Sequence, residues 1–318
     1  MSEFFIELFS EEIPANLQNK TRQDFFQNLK EFLEKEDIKY SGEATAFSIP
    51  NRLIVYFQNI SKKITKKENE IRGPNINAPQ DALNGFLKSY KISIDKTYKK
   101  KTDKGEFYFF KKPSESIETK FVLQKNLPKI LDKISWKKSM RWADHELYWG
   151  RPLKSILCCF DNKTLEFEYH HLVSSNITFI DKDFEQKTKK FVRFKDYLAF
   201  FRSQNIILDN KKREQFIVDQ LNRIAKKENL KIHFNSNLLN EVTNIVEKPN
   251  IIKCRFNKRF LEIPDDILVT TMQVHQKYFP TFDSRDNLTN NFFLVADNKD
   301  SKGLIKIGNE NVVEARFN

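Results

Sequence analysis

Trp136-Lys137-Lys138-Ser139-Met140-Arg141-Trp142 runs through residues 143–149 into Gly150-Arg151-Pro152, and then into Leu153-Lys154-Ser155-Ile156-Leu157-Cys158-Cys159-Phe160-Asp161. The apolar residues from Leu153 to Phe160 are nearly continuous instead of alternating, which predicts a strand buried on both faces. All three tryptophans of the chain lie just before it, punctuated by Gly150 and Pro152. An aromatic, cationic segment is therefore tethered to a core strand. Arg and Lys beside indole faces suit stacking on bases and pairing with phosphates, and they equally suit a cation–π packed turn.

Working outward, Phe4–Phe9 predicts a first strand, and Pro14 stands where the first turn of a helix tolerates it. Phe25, Leu29, Phe32 and Leu33 then mark one face of an amphipathic helix ending near Lys35. Ala44–Ile49 and Arg52–Ile60 read as strands joined by a Pro50-Asn51 turn. Arg72-Gly73-Pro74 reads as a turn, Pro79–Tyr90 as a short helix burying Leu83, Phe86 and Tyr90, and Tyr98–Lys112 as a hairpin closed at Asp103-Lys104-Gly105.

Ser114 is expected to cap a helix carrying Leu123, Leu127, Ile130, Leu131 and Ile134, with Pro128 kinking or restarting it. Beyond the core strand, Thr164–Phe179 reads as further strand with a turn, Asp196–Phe201 as a helix and Asn205–Leu208 as a short strand. A long helix capped by Asp209 or Asn210 follows, with Ile217, Leu221, Ile224 and Ala225 buried and Lys211, Lys212, Arg213, Arg223, Lys226 and Lys227 on wetter faces. The last part predicts a helix from Ser236 to Val246, a strand Asn250–Phe256, a helix opened by Pro264, and a hairpin of Tyr278–Phe282 and Asn291–Ala296. Gly308 to Asn318 reads as a helix cut off about two turns in.

Strands and helices come in mixed runs, without regular strand–helix–strand alternation. The expected fold class is α+β, with mixed, mainly antiparallel sheets and packed helices in two or three subdomains: 1–150, 151–235 and 236–318.

The chain has 318 residues and a net charge of +12. A basic surface gains affinity for a polyanion by releasing counterions, but abundant Lys, Asn, Ile and Phe beside only 7 glycines also have the look of an AT-biased coding sequence. Residues 60–112 hold 14 Lys/Arg against 6 Asp/Glu, so +8 of the +12 is concentrated there. Lys99, Lys100, Lys101 and Lys104 are the most exposed cations expected, serving either nucleic acid or solubility.

The N-terminus has no basic n-region or long apolar stretch and no apolar run approaches membrane-spanning length, so a cytoplasmic protein without a membrane is expected. Cys158 and Cys159 should point to opposite faces of one strand, and with Cys254 they make no zinc spacing. Neither a glycine-rich phosphate cradle nor a nucleophile elbow is present. Lys137-Lys138-Ser139-Met140 superficially resembles the lysine–serine signature of class I synthetases, but no upstream His-x-Gly-His accompanies it. His145 between Asp144 and Glu146 has no matching nucleophile or oxyanion donor, and His170-His171, split across a strand, are no chelate. No catalytic residue and no metal ligand is expected.

Several short segments occur in a specific order: Leu8-Phe9-Ser10-Glu11-Glu12-Ile13-Pro14-Ala15; Arg72-Gly73-Pro74 with Ala78-Pro79 and Gly85-Phe86; Thr102-Asp103-Lys104-Gly105-Glu106; and Lys138-Ser139-Met140-Arg141-Trp142 with Arg151-Pro152-Leu153. They continue with Asn176-Ile177-Thr178; Glu241-Val242, Val246-Glu247 and Pro249; Thr270-Thr271-Met272 through His275-Gln276-Lys277-Tyr278-Phe279-Pro280; and Gly308-Asn309-Glu310 with Val312-Val313 and Ala315-Arg316. In this order and spacing the chain resembles the N-terminal part of the beta subunit of bacterial glycyl-tRNA synthetase.

The resemblance implies a ligase of two alpha and two beta chains that attaches glycine to tRNA(Gly). The alpha subunit would activate glycine with ATP and magnesium, and the beta subunit would grip tRNA. Partners implied are the alpha subunit, a second beta subunit and tRNA(Gly), with no cofactor bound by this chain; a stand-alone non-catalytic RNA-binding module is the alternative. The resemblance also implies that helical and anticodon-binding parts follow in the family. Candidate tRNA-contacting residues are Arg72, Lys99, Lys100, Lys101, Lys104, Lys138, Arg141, Arg151 and Lys277. Two departures from the family pattern stand out: Ile180-Asp181-Lys182-Asp183-Phe184 replaces a Gly-His-Arg-Phe stretch, and Lys248 replaces a tryptophan before Pro249.

Overall fold

The computed structural model describes residues 2–66, 68–180 and 187–318. The first strand, β1 (Ser2–Ser10), is followed by helix α1 (Ala15–Lys35), the hairpin β2 (Ala44–Ile49) and β3 (Arg52–Ile60), and the short β4 (Lys63–Lys66). A separate group follows: β5 (Asn69–Asn75), α2 (Gln80–Tyr90), β6 (Thr97–Thr102) and β7 (Gly105–Lys112). The chain then returns through β8 (Glu115–Glu118) and α3 (Thr119–Leu131) to β9 (Leu153–Phe160) and the two-residue β10 (Lys163–Thr164).

These strands build a five-stranded antiparallel sheet in the order β10-β9-β1-β3-β2. β1 is central, so its alternate side chains enter two different cores. Phe4, Ile6 and Leu8 meet α1 through Phe25, Leu29 and Leu33, and α3 through Leu123, Leu127 and Ile130. Phe5 faces the other way, toward Phe194, Tyr197 and Phe201. Cys158 lies in the first core and Cys159 in the second, as the alternation predicts. β9 is buried on both faces and pairs with β1, so the strand beyond residue 150 belongs to the sheet begun at residue 2.

On the second face β1 carries a buried carboxylate. Glu7 is 0% exposed and ion-paired to Arg52, 2% exposed, at 3.2 Å. Its carboxylate also accepts from the hydroxyls of Thr178 and Tyr197. Burial, and then the Glu7 carboxylate, push the Tyr197 phenol well above its ordinary range, so it keeps the proton it donates. Arg52 also donates to Phe179 O and lies over the rings of Phe9 and Phe201.

Small ribbons follow: β11 (Glu168–Tyr169) with β12 (Leu172–Val173), and β13 (Ile177–Phe179) with β14 (Thr188–Lys190). Next come helices α4 (Phe194–Ser203), α5 (Asn210–Lys227) and α6 (Ser236–Ile245). The last group is β15 (Asn250–Arg255), α7 (Asp265–Thr270), β16 (Phe279–Phe282), β17 (Leu288–Ala296) and α8 (Leu304–Phe317), with the sheet order β15-β17-β16. One face of that sheet packs on α7 and α8, through Leu268 and Val313. The other packs on α5 and α6, with Ile217, Leu221, Leu238 and Val242 around Phe279 and Phe293. Helix α5, before the expected boundary at 235/236, thus shares a core with the module after it. Antiparallel sheets with packed helices make this an α+β fold, as the mixed runs predict.

Several local expectations are corrected. Arg72-Gly73-Pro74 is not a turn but the bulged part of β5, where the register to β7 shifts. Gly73 serves the close approach of α2, because a Cβ there would meet the Phe86 ring at 2.9 Å. Tyr90, expected inside, is exposed. Ser114 caps nothing: residues 115–118 pair with β4, and the helix starts at Thr119, whose hydroxyl donates to Ser61 O. Pro128 is accommodated without restarting that helix.

Residues 205–208 form no strand; Ile206 and Leu208 are buried, and Ile207 N–H donates to Glu247 O. Arg213, expected on a wet face, is 0% exposed, because its guanidinium reaches the carbonyl oxygens of Thr243, Ile207 and Ser48. Helix α8 is 14 residues long and anchored by buried Val313, longer than the two turns expected. Of the stretch that departs from the family pattern, residues 181–184 lie outside the described residues.

Candidate nucleic-acid interface

The ribbon of β4 and β8 leads into a three-stranded sheet in the order β5-β7-β6, backed by α2. Its buried residues Leu83, Phe109 and Phe110 belong to none of the four main hydrophobic clusters. The sheet forms an arm carried on the ribbon. Cross-strand register decides which of its cations lie together, since directly paired residues share a face. Arg72 opposes Phe109, Lys100 opposes Phe107 and Tyr98 opposes Phe109, which places Arg72, Tyr98 and Lys100 on one face.

On that face the Arg72 guanidinium lies 4.3 Å from the Phe107 ring centre, and Lys100 Nζ 5.3 Å from that of Phe109. Lys100 and the Tyr98 hydroxyl both reach the Glu70 carboxylate. The hydrogen bonds from Lys100 and Tyr98 hold the Glu70 carboxyl below the usual range, and the bond to Glu70 pushes the Tyr98 phenol up to about 12. Lys99 and Lys101 face the other way, opposite Tyr108 and Glu106. Lys104 is exposed in the connecting turn. The expected lysine cluster is therefore divided by the pleat: one of its three consecutive lysines joins Arg72, and two do not.

In the tryptophan segment, Met140 and Trp149 form an antiparallel bridge that closes residues 141–148 into a loop. Trp149 is 2% exposed and packs on Trp136, ring centres 5.2 Å apart. Gly150 is required beneath Trp136, because a Cβ there would lie 2.2 Å from the indole. Trp142 is half-buried. Arg141 is exposed, with Nε donating to His145 O at 3.2 Å and its guanidinium 5.9 Å from the Tyr148 ring. Lys138 is exposed in the same segment, and Arg151 is half-buried and donates to Gly150 O.

Sequence reasoning treats His145 as a lone histidine and places His170 and His171 on a strand. The structure instead puts His170 and His171 in the tight turn between β11 and β12, with His170 at φ 52°. That turn brings His171 onto His145 in a parallel stack, ring centres 3.5 Å apart, with Trp142 edge-on to both. Burial, and then the neighbouring His145, hold the His171 imidazole below its ordinary 6.5. No local spacing signals this contact, since the two rings come from segments joined only by the fold.

Lys277 is the most tied down of the candidates. It is half-buried, its Nζ donates to Val274 O at 2.8 Å, and it pairs with Glu241 at 2.8 Å. The candidates thus sit on three separate elements: the arm, the tryptophan loop and the turn before β16. The arm combines exposed cations with half-buried Tyr98 and Phe107 and buried Phe109, an arrangement suited to phosphates. Among the described residues no three His, Cys, Asp or Glu side chains converge as a metal site, and no helix is long and apolar enough to cross a membrane.

Residues 4–318 match the family model described as glycyl-tRNA synthetase beta subunit. The chain is 35% identical over 320 residues to the glycine–tRNA ligase beta subunit of Rickettsia felis, covering 100% of this chain and 48% of that relative. It is likewise 35% identical over 319 residues to that of Rickettsia prowazekii, and 34% identical over 318 residues to that of Rickettsia akari, with the same coverage. The chain spans about half the length of these curated relatives. By a match that runs along nearly all of its sequence, the chain belongs to the glycyl-tRNA synthetase beta subunit family.

Proposed function

We propose that this chain is the tRNA-holding and assembly part of a glycine–tRNA ligase that works in the cytoplasm. It joins an alpha subunit and a second beta subunit, and it supports ATP-dependent attachment of glycine to tRNA(Gly). Adenylation, with ATP and magnesium, resides in the alpha subunit, and this chain binds no cofactor of its own. Family membership supports the role, and the observation that carries RNA contact is the arm face where Arg72 and Lys100 lie over Phe107 and Phe109. Cations fixed above these rings are held in place to present their charge to phosphates.

The test is tRNA(Gly) binding against salt concentration for Arg72→Glu/Lys100→Glu, beside Lys99→Glu/Lys101→Glu on the opposite face. The expected result is weaker binding for the first pair, with the log–log salt slope flattened by about 0.7 to 0.9 for each lost phosphate contact. An unchanged slope in the first pair would overturn the assignment. Equal losses in both pairs would show that both faces meet RNA.

A further inference from the structure

Away from the arm, a cleft of about 660 Å³ opens between the end of α4, the flank of α5 and the turns at 247–250 and 297–299. That volume is in the range of small-ligand sites. Its apolar lining includes Ile206, Pro249 and Phe216, the last 38% exposed on α5. Arg202, Lys248 and Lys299 also line it, and among the described residues the side chains of Arg202 and Lys299 make no hydrogen bond or ion pair. The carboxylate in the cleft, Asp297, is already engaged: it accepts the backbone N–H groups of Glu247 and Lys248 at 2.7 and 2.9 Å. Asn205, Asn250 and Asn298 also line it. Asn250 Nδ2 donates to Lys248 O at 2.6 Å, and Lys248 pairs with Glu247 at 3.9 Å, so among the described residues the cleft's cations without a partner are Arg202 and Lys299. Uncommitted cations, amides able both to donate and to accept, and an accessible phenyl ring are the complement of one kind of ligand.

We infer that this cleft binds a nucleotide, with its phosphate taken by Arg202 and Lys299, its base edge by the amides of Asn205 and Asn298 and its base plane by Phe216. An isolated anion would need only the cations, and an apolar ligand would leave them unsatisfied; a nucleotide uses both parts of the lining. The nucleotide is either free or one unit of an RNA strand. Either source presents the same phosphate and base.

The test is titration calorimetry on the purified 318-residue chain with AMP, GMP, inorganic phosphate and a single-stranded RNA pentamer. It is repeated with Arg202→Glu, Phe216→Ala and the arm variant Arg72→Glu/Lys100→Glu, each first checked for an unchanged melt. The expected result is saturable nucleotide binding that falls about tenfold or more in Arg202→Glu, the size of one lost charge-assisted hydrogen bond. It should fall severalfold in Phe216→Ala and persist in the arm variant, so the cleft is judged apart from the arm. Binding of AMP or GMP equal to the pentamer identifies a free nucleotide, and binding of the pentamer alone identifies a strand. Absence of saturable binding by every probe, or binding indifferent to Arg202→Glu, overturns the proposal. So does binding in which phosphate matches the nucleotides and Phe216→Ala has no effect.

Discussion

Trp149 and Arg141 belong to one loop and have opposite surroundings. Trp149 is enclosed by Trp136 and the first core, whereas Arg141 is exposed, and its contacts among the described residues are the backbone oxygen of His145 and the face of Tyr148. Trp149→Ala is therefore expected to cost about 3 to 5 kcal/mol, and Arg141→Ala to stay within about 0.5 kcal/mol. Urea melts of the two variants check this, and a strongly destabilised Arg141→Ala would show that the loop depends on that cation. Trp142 is the intermediate case, half-buried against His145 and His171.

The same contact makes a pH prediction. Burial and the adjacent His145 lower the His171 pKa from 6.5, so the folded state favours the neutral ring. The stability that depends on neutrality is complete above about 6.5, and it is lost as pH falls through that value toward the lowered folded one. Melting temperature should drop more steeply between about pH 7 and pH 5 in the wild type than in His171→Gln. Parallel profiles would remove the stack from the stability of the loop.

At the scale of elements, the arm is the separable piece. Lys66 and Glu115 are directly paired at the end of the β4–β8 ribbon, so residues 67–114 are spanned by one cross-strand pair. Replacing them with Asn-Gly should turn β4 and β8 into a two-residue hairpin, because that dipeptide matches the twist of paired strands. The shortened chain is expected to lose only the far-ultraviolet contribution of α2, β5, β6 and β7 and to melt close to the parent, since the buried residues of the arm lie outside the four main cores. It should also lose much of its tRNA affinity, measurable by gel shift. A chain that no longer folds would mean that the arm supports the central sheet. The division of Lys99, Lys100 and Lys101 between two faces belongs to this scale as well: charge is legible as a run, but the pleat assigns it to surfaces.

Across the whole molecule, the central sheet, the arm and the C-terminal sheet carry packing and charge, and the sequence holds no glycine-rich phosphate cradle. On the proposed division of labour the chain alone should give no glycine-dependent ATP–pyrophosphate exchange, and activity should appear when an alpha subunit is added. Exchange by the chain alone would refute that division.

The sequence by itself determined the local elements. The stripe of Phe25, Leu29 and Leu33, the apolar run of β9, a cap at Asp209 or Asn210 for α5 and the β16–β17 hairpin were all readable, because each depends on residues two to four positions apart or on one turn; the structure chose Asp209. The short motifs likewise identified the family, whose model runs the length of the chain. Only the tertiary structure decided that β9 lies beside β1, that Arg213 is buried, that His145 meets His171, and that Arg72 joins Lys100 but not Lys99. Periodicity says which face of an element is apolar, but not which distant element covers it. A cation on a predicted wet face becomes a core residue when carbonyl oxygens far along the chain arrive to satisfy its guanidinium.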